Sequence, residues 1–208
     1  MSCVSCIVEG DGEVAALPIL LRRMAAWRGP YSYVDIPQPI RVKRDRFLNK
    51  ETEFSRHLQL AGMKCGDDGW VLILLDADDD CPAELAPRIL ARAAAVLPHR
   101  SISVVLANRE FEAWYIGAAS SLHGVRGLEI SDRDLACDPE APRDAKGWLR
   151  LRMRSGTYGE TTDQPAFAAR VDLELAKRRC RSFQKLCKEW DNQFSVAHQP
   201  YAGQNDPA

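Results

Sequence analysis

Apolar residues recur along this chain in two alternating rhythms. Cys3 to Val8 is a short apolar run, Glu9 to Gly12 a polar turn, and Glu13 to Trp27 sets Val14, Leu17, Leu20, Leu21 and Met24 at helical spacing. Residues 28 to 50 hold Gly29-Pro30, Pro37 and Pro39 around a β-rich patch, Tyr31 to Ile36, which predicts irregular chain with one edge strand. Glu51 to Gly62 reads as a helix. Gly66-Asp67-Asp68-Gly69 marks a turn before the unbroken apolar run Trp70 to Leu75, the pattern of a strand buried on both faces at the centre of a sheet. Pro82 suits a first helical turn, Leu85, Ile89, Leu90, Ala93 and Leu97 carry helical spacing through Glu84 to Leu97, and Ile102 to Ala107 is a third strand. Residues 132 to 159 are turn-rich around a short helix near Trp148. The last helices are predicted over Ala166 to Lys177 and Arg181 to Trp190, followed by a frayed tail over Tyr201 to Ala208.

Strands alternating with helices of ten to fifteen residues predict parallel βαβ units, and hence an α/β fold of Rossmann-like type with a mostly parallel sheet between helices. Residues 1–130 form the expected core, with an insertion near 28–65. Residues 131–195 form a basic, mainly helical extension of the same domain, and 196–208 a tail.

Composition narrows the class of partner. The 28 Lys and Arg against 29 Asp and Glu leave a net charge of −1, so any polyanion site must be local. It is local in one place: residues 143–188 hold 12 basic side chains against 5 acidic ones, whereas 65–86 hold seven acids and no base. No apolar run approaches the roughly 20 residues of a membrane span. The start, Met1 to Cys6, lacks the basic and long apolar segments of a signal peptide, which predicts a cytoplasmic protein with seven reduced cysteines. Cys3-x-x-Cys6 is half a zinc motif that no second pair completes.

In a parallel sheet the residues that follow each strand meet at one edge, where ligands bind. Here those residues are acids: Glu9 to Glu13 after the first strand, Asp76 to Asp80 after the central one, and Arg109-Glu110-Phe111-Glu112 after the third. Carboxylates brought within a few ångströms cannot all stay ionised without a cation among them, and a hard divalent ion such as Mg²⁺ takes oxygen ligands of this kind. Period-2 geometry sends Asp76 and Asp78 to the same side, with Asp80 able to join them if the chain stays extended. Gly10-x-Gly12-x-x-Ala15 also fits a dinucleotide fingerprint with Asp35 as the ribose acid, but Glu9, Asp11 and Glu13 crowd the place a pyrophosphate needs. An EF-hand fails because Cys81 and Pro87 stand where glycine and glutamate are required. The histidines at 57, 99, 123 and 198 lie near no nucleophile motif and read as surface or capping residues.

Taken together, Ile7-Val8-Glu9-Gly10 with Glu13, Leu74-Leu75-Asp76-Ala77-Asp78, and Glu110-Phe111-Glu112-Ala113-Trp114 resemble the TOPRIM superfamily, in an uncharacterised bacterial branch close to the OLD nucleases. Pro142-Arg143, Lys146, Trp148-Leu149, Tyr158 and Arg181-Ser182-Phe183 extend the resemblance over most of residues 4–187. It implies a nuclease acting on DNA or RNA with Mg²⁺ or Mn²⁺. Glu9 is then a metal ligand or proton handler, Asp76 and Asp78 bind the first ion, Glu13 and Glu112 help hold a second, and Glu110 is a further candidate. Lys146 is the expected phosphate-contacting cation, and water the expected nucleophile. The resemblance further implies a partner ATPase, in antiphage defence, for a chain that has no Walker motif of its own; a homo-oligomer is a further possible assembly. The alternative is a non-catalytic or partner-activated nucleic-acid-binding subunit, with a dinucleotide-binding protein behind it.

Overall fold

The computed structural model describes residues 2–29 and 33–195; the expected tail, His198 and part of the Tyr31 to Ile36 patch lie outside them. In chain order the elements are β1 (Ser2–Val8), α1 (Asp11–Arg28), β2 (Val34–Asp35), β3 (Ile40–Arg41), α2 (Arg44–Asn49), α3 (Glu51–Cys65), β4 (Trp70–Asp76), α4 (Pro82–Val96) and β5 (Ser101–Ala107). There follow α5 (Ala113–Gly117), α6 (Asp132–Leu135), α7 (Ala145–Arg150), α8 (Asp163–Ala168), α9 (Leu173–Arg179) and α10 (Arg181–Ser195), with two short 3₁₀ turns between α5 and α6. No helix among the described residues is long and apolar enough to cross a membrane.

Five strands make a parallel, Rossmann-like sheet ordered β2-β1-β4-β5, with β3 also pairing β1. β4 lies in the interior of the sheet, as its apolar run requires. Its side chains alternate between two cores. Trp70, Leu72 and Leu74 pack with α1 and the C-terminal helices, while Val71, Ile73 and Leu75 pack with Phe54, Leu58 and Ala61 of α3 and Ile89 and Ala93 of α4. The first core holds the whole C-terminal part: α8 rests on α1 and α10 on β5. Trp190 and Phe194 of α10 meet Trp70 with ring centroids 6.0 and 6.1 Å away, edge to face, so the last helix is anchored by aromatic burial.

Three expectations change. The polar turn after β1 is only Glu9-Gly10, because Gly10 already caps α1 and the helix starts at Asp11. The 28–50 stretch is not irregular with one edge strand. It supplies two two-residue strands, both paired with β1, and the helix α2, and Val42 N–H donates to the Val8 carbonyl at 2.8 Å to fix its end against β1. The helix predicted over Ala166 to Lys177 is broken in two. Val171 turns into the core, and Asp172 restarts the chain as the N-cap of α9, its carboxylate accepting the Leu175 N–H at 2.9 Å.

Candidate active site

All strands run the same way, so the C-terminal ends of β1, β4 and β5 share one edge; Ile7 pairs Ile73 and Asp76 pairs Ala107 across it. Glu9 leaves β1, Asp76 is the last residue of β4, and Glu112 sits at the start of α5 just past β5. The loops beyond the strands keep their pairing, with Asp78 N–H donating to the Arg109 carbonyl at 3.0 Å and Phe111 N–H to Asp76 Oδ1 at 2.8 Å.

Asp76, Glu13 and Glu112 act on one another electrostatically, and Glu9 and Lys146 act on Asp76 as well. Burial, then Glu13 and Glu112, push Asp76 well above the usual aspartate range against the pull of Lys146. Burial drives Glu112, fully inaccessible to solvent, up to about 8, with Lys146 opposing and Glu13 adding. Lys146 shows the mirror image: burial lowers it, but Glu112, Glu160, Asp76 and Glu13 together outweigh burial and raise it. Its one ion pair among the described residues is to Glu160, 3.6 Å away, so the ammonium faces the other acids without contacting them. Tyr158 donates its hydroxyl to Glu112 Oε1 at 3.2 Å, and burial followed by Glu112 holds that phenol protonated. Glu13 is buried with both oxygens engaged, Oε2 by the Gly10 amide and Oε1 by Gln164 Nε2 at 3.3 Å.

A second group stands at the mouth. Glu9 is raised by burial and by Asp78, and lowered by Arg44. Arg44 braces the strand end, donating to the carbonyl of Asp76 at 3.1 Å while its guanidinium pairs with Asp80 and lies 3.7 Å from Asp78. The same-side reading of Asp76 and Asp78 therefore needs correction: extended geometry ends at Asp76, and Asp78 adopts a left-handed φ of 51° that leaves it exposed beside Arg44. Asp80 is held by Arg44 and does not join Asp76. Glu110 also turns elsewhere, its two oxygens accepting the N–H groups of Ala145 at 3.3 Å and Lys146 at 3.2 Å, so that it caps α7 and fixes the start of the helix that carries Lys146. Arg152 and Arg154, within the basic stretch 143–188, are tied to Asp134 and Glu129.

Glu9, Glu13, Asp76, Glu112 and Lys146 are thus brought together, Asp78 flanks them, and Asp80 and Glu110 are engaged by other partners. The donors are hard carboxylate oxygens, and Glu9 Oε2 and Glu112 Oε2 are buried without a hydrogen-bond partner, which suits Mg²⁺ or Mn²⁺. Among the described residues no three His, Cys, Asp or Glu side chains close around a single point. That arrangement fits an ion held by one or two carboxylates and completed by water and substrate phosphate, not a closed protein cage.

A family model described as Domain of unknown function (DUF4276) matches residues 8–190. The chain belongs to the DUF4276 family. No curated protein and no solved structure matches it. The span matched to DUF4276 takes in every acid of the cluster together with Arg44, Lys146, Tyr158 and Gln164.

Arg44, Glu160 and Gln164 of this DUF4276 chain are the site residues that sequence reasoning missed. The only hint was the basic run Arg41-x-Lys43-Arg44-x-Arg46 inside the stretch read as irregular. Gln164 also accounts for Gly12: a Cβ there would stand 1.6 Å from Gln164 Oε1, so the bare glycine admits a side chain of α8 where a dinucleotide fingerprint would admit phosphate. The Gly10 amide is likewise taken by Glu13, which leaves the α1 N-terminus closed by its own side chain. Gly12→Ala is therefore expected to force Gln164 off Glu13 and cost about 2 kcal/mol by overpacking. Urea denaturation checks this, and an unchanged midpoint would show that α8 yields freely.

Proposed function

We propose that the protein is a Mg²⁺- or Mn²⁺-dependent nuclease that hydrolyses phosphodiester bonds of DNA or RNA with water as nucleophile. The observation that carries this reading is the meeting of Asp76, Glu13, Glu112 and Glu9 at one sheet edge, with buried oxygens of Glu9 and Glu112 that no described residue satisfies. The resemblance of the same residues to TOPRIM and OLD nucleases supports it.

Asp76 and Glu112 would hold the cation, with Glu13 behind them kept in place by Gly10 and Gln164. A bound divalent ion supplies Lewis-acid activation of water and charge stabilisation at the phosphate. Glu9 Oε2, unpartnered and made more basic by burial and by Asp78, receives the proton of the attacking water. Lys146 balances the negative charge that grows on the phosphate oxygens, because its ammonium already faces this cluster. Tyr158 holds Glu112 by one oxygen and leaves the other free.

A second reading has its own observation. Lys146 is itself coupled to Glu112, Asp76 and Glu13 and offsets part of their charge, which suits a subunit in which a partner moves the lysine to admit the ion. A partner ATPase, in antiphage defence, is the activator we propose for that case. Incubating the purified protein with supercoiled plasmid and with total RNA separates the two. Cleavage that requires Mn²⁺ or Mg²⁺ and stops with chelator is the expected result, activity only on adding the ATPase favours the second reading, and inertness in every complex rejects both enzymes.

A further inference from the structure

Besides Lys146 and Arg143, the mouth of the site is lined by basic residues from outside the C-terminal third. β3 pairs with the last residues of β1, and this brings the segment that follows it to the mouth of the site. There Arg41, Lys43, Arg44 and Arg46 share a cleft of about 400 Å³ with Glu9, Asp45 and Asp78. Phe47, fully buried, pins α2 from below and so presents these cations from a fixed support. Arg44 is engaged with the strand end and its acids. The other three face solvent. Lys43 has no acidic partner among the described residues, while Arg41 and Arg46 make exposed pairs with Asp11 and Glu53, at 3.2 and 2.8 Å, of a kind that exchanges readily for a phosphate, and Arg41 also donates to the Glu9 carbonyl at 3.3 Å. Asp78 also lines a second, smaller cleft of about 190 Å³ together with Arg109 and Arg143, which pair with the exposed Asp79 at 3.0 and 3.1 Å. Asp78 is thus common to two clefts, each with its own set of cations.

Resting on the nuclease reading, we propose that the polynucleotide backbone lies in the Arg41 to Arg46 cleft, contacts Lys43 and Arg46 through its phosphates, and crosses the acids at Asp78 toward Arg143. Cations above and below a metal-binding group hold successive phosphates so that the one between them meets the carboxylates. Two arginines of the C-terminal part have other duties: Arg179 donates to the carbonyls of Leu135 and Cys137 at 2.8 and 2.6 Å, and Arg152 pairs with Asp134 at 2.6 Å. They join loops to the core and stand apart from the strand's path.

The test measures fluorescence anisotropy of a labelled single-stranded 20-mer, as DNA and as RNA, with the full chain carrying Asp76→Asn so that the probe stays whole. Lys43→Glu with Arg46→Glu is compared with Arg178→Glu with Arg181→Glu, two exposed positions of the C-terminal cluster whose reversal changes net charge equally. The first pair is expected to weaken binding by about tenfold or more and to flatten the salt dependence by roughly two phosphate contacts, the second to weaken it less than about twofold. Equal losses, or a larger loss from the second pair, overturn the placement; metal-dependent cleavage by the unaltered chain would then still stand. If the parent protein binds neither probe and cuts neither nucleic acid, placement and nuclease reading fall together. Thermal melting of both double variants verifies that they are folded, and the two probes show whether the cleft accepts DNA, RNA or both.

Discussion

Asp76→Asn is expected to remove about three orders of magnitude of metal-dependent cleavage and, in chelator, to make the folded protein more stable. The first effect follows because an ion's stabilisation of a phosphoryl transition state amounts to several kcal/mol, and each 1.4 kcal/mol is tenfold in rate. The second follows because Asp76 is pushed up by burial and by Glu13 and Glu112, so an ionised carboxylate there opposes folding when no cation is bound. Asparagine can keep the acceptor that takes the Phe111 N–H, so little else is lost. The melting temperature should rise by about 2 to 4 °C for each kcal/mol relieved in a chain of 208 residues. Cleavage that survives the change would remove Asp76 from catalysis. A fall in melting temperature would mean that Lys146 stabilises the carboxylate more than its neighbours repel it.

Glu112 should make the metal-free protein lose stability between about pH 5 and pH 8. Its folded-state value of about 8 lies above the ordinary 4.5, so the folded protein binds the proton more tightly than the unfolded chain. The stabilisation is complete below the unfolded value and disappears as pH rises through the folded one. Glu112→Gln keeps an acceptor for the Tyr158 hydroxyl but cannot ionise, and its melting temperature measured in chelator should fall less steeply over that range. Saturating Mn²⁺ should flatten the slope of the unaltered protein, with protons released on binding. Parallel curves for the two proteins would place the ionisation elsewhere.

The long elements were legible because each obeys one period over many residues. β1, β4 and β5, and α1, α3, α4 and α10, fall where their apolar patterns put them, and the parallel arrangement already implied that Glu9, Asp76 and Glu112 would meet. What stayed hidden depends on short contacts between distant segments. β2 and β3 are two residues each, too brief to show alternation. Arg44 reaches the strand end 32 positions away only because β3 docks on β1. Glu110 looked like one more acid of the group, yet its partners are amides 35 and 36 residues later. Asp78 escaped the two-residue alternation because the backbone turns left-handed there, which residue types alone do not announce.

Gln164 reaches Glu13 across 151 residues, and Tyr158 reaches Glu112 across 46. The site therefore cannot be trimmed to its parallel-sheet half. A protein cut after residue 130 would keep Glu9, Glu13, Asp76 and Glu112 but lose their lysine, phenol and amide, leaving uncompensated charge at the heart of the sheet edge. The helical half behaves as the second wall of one room.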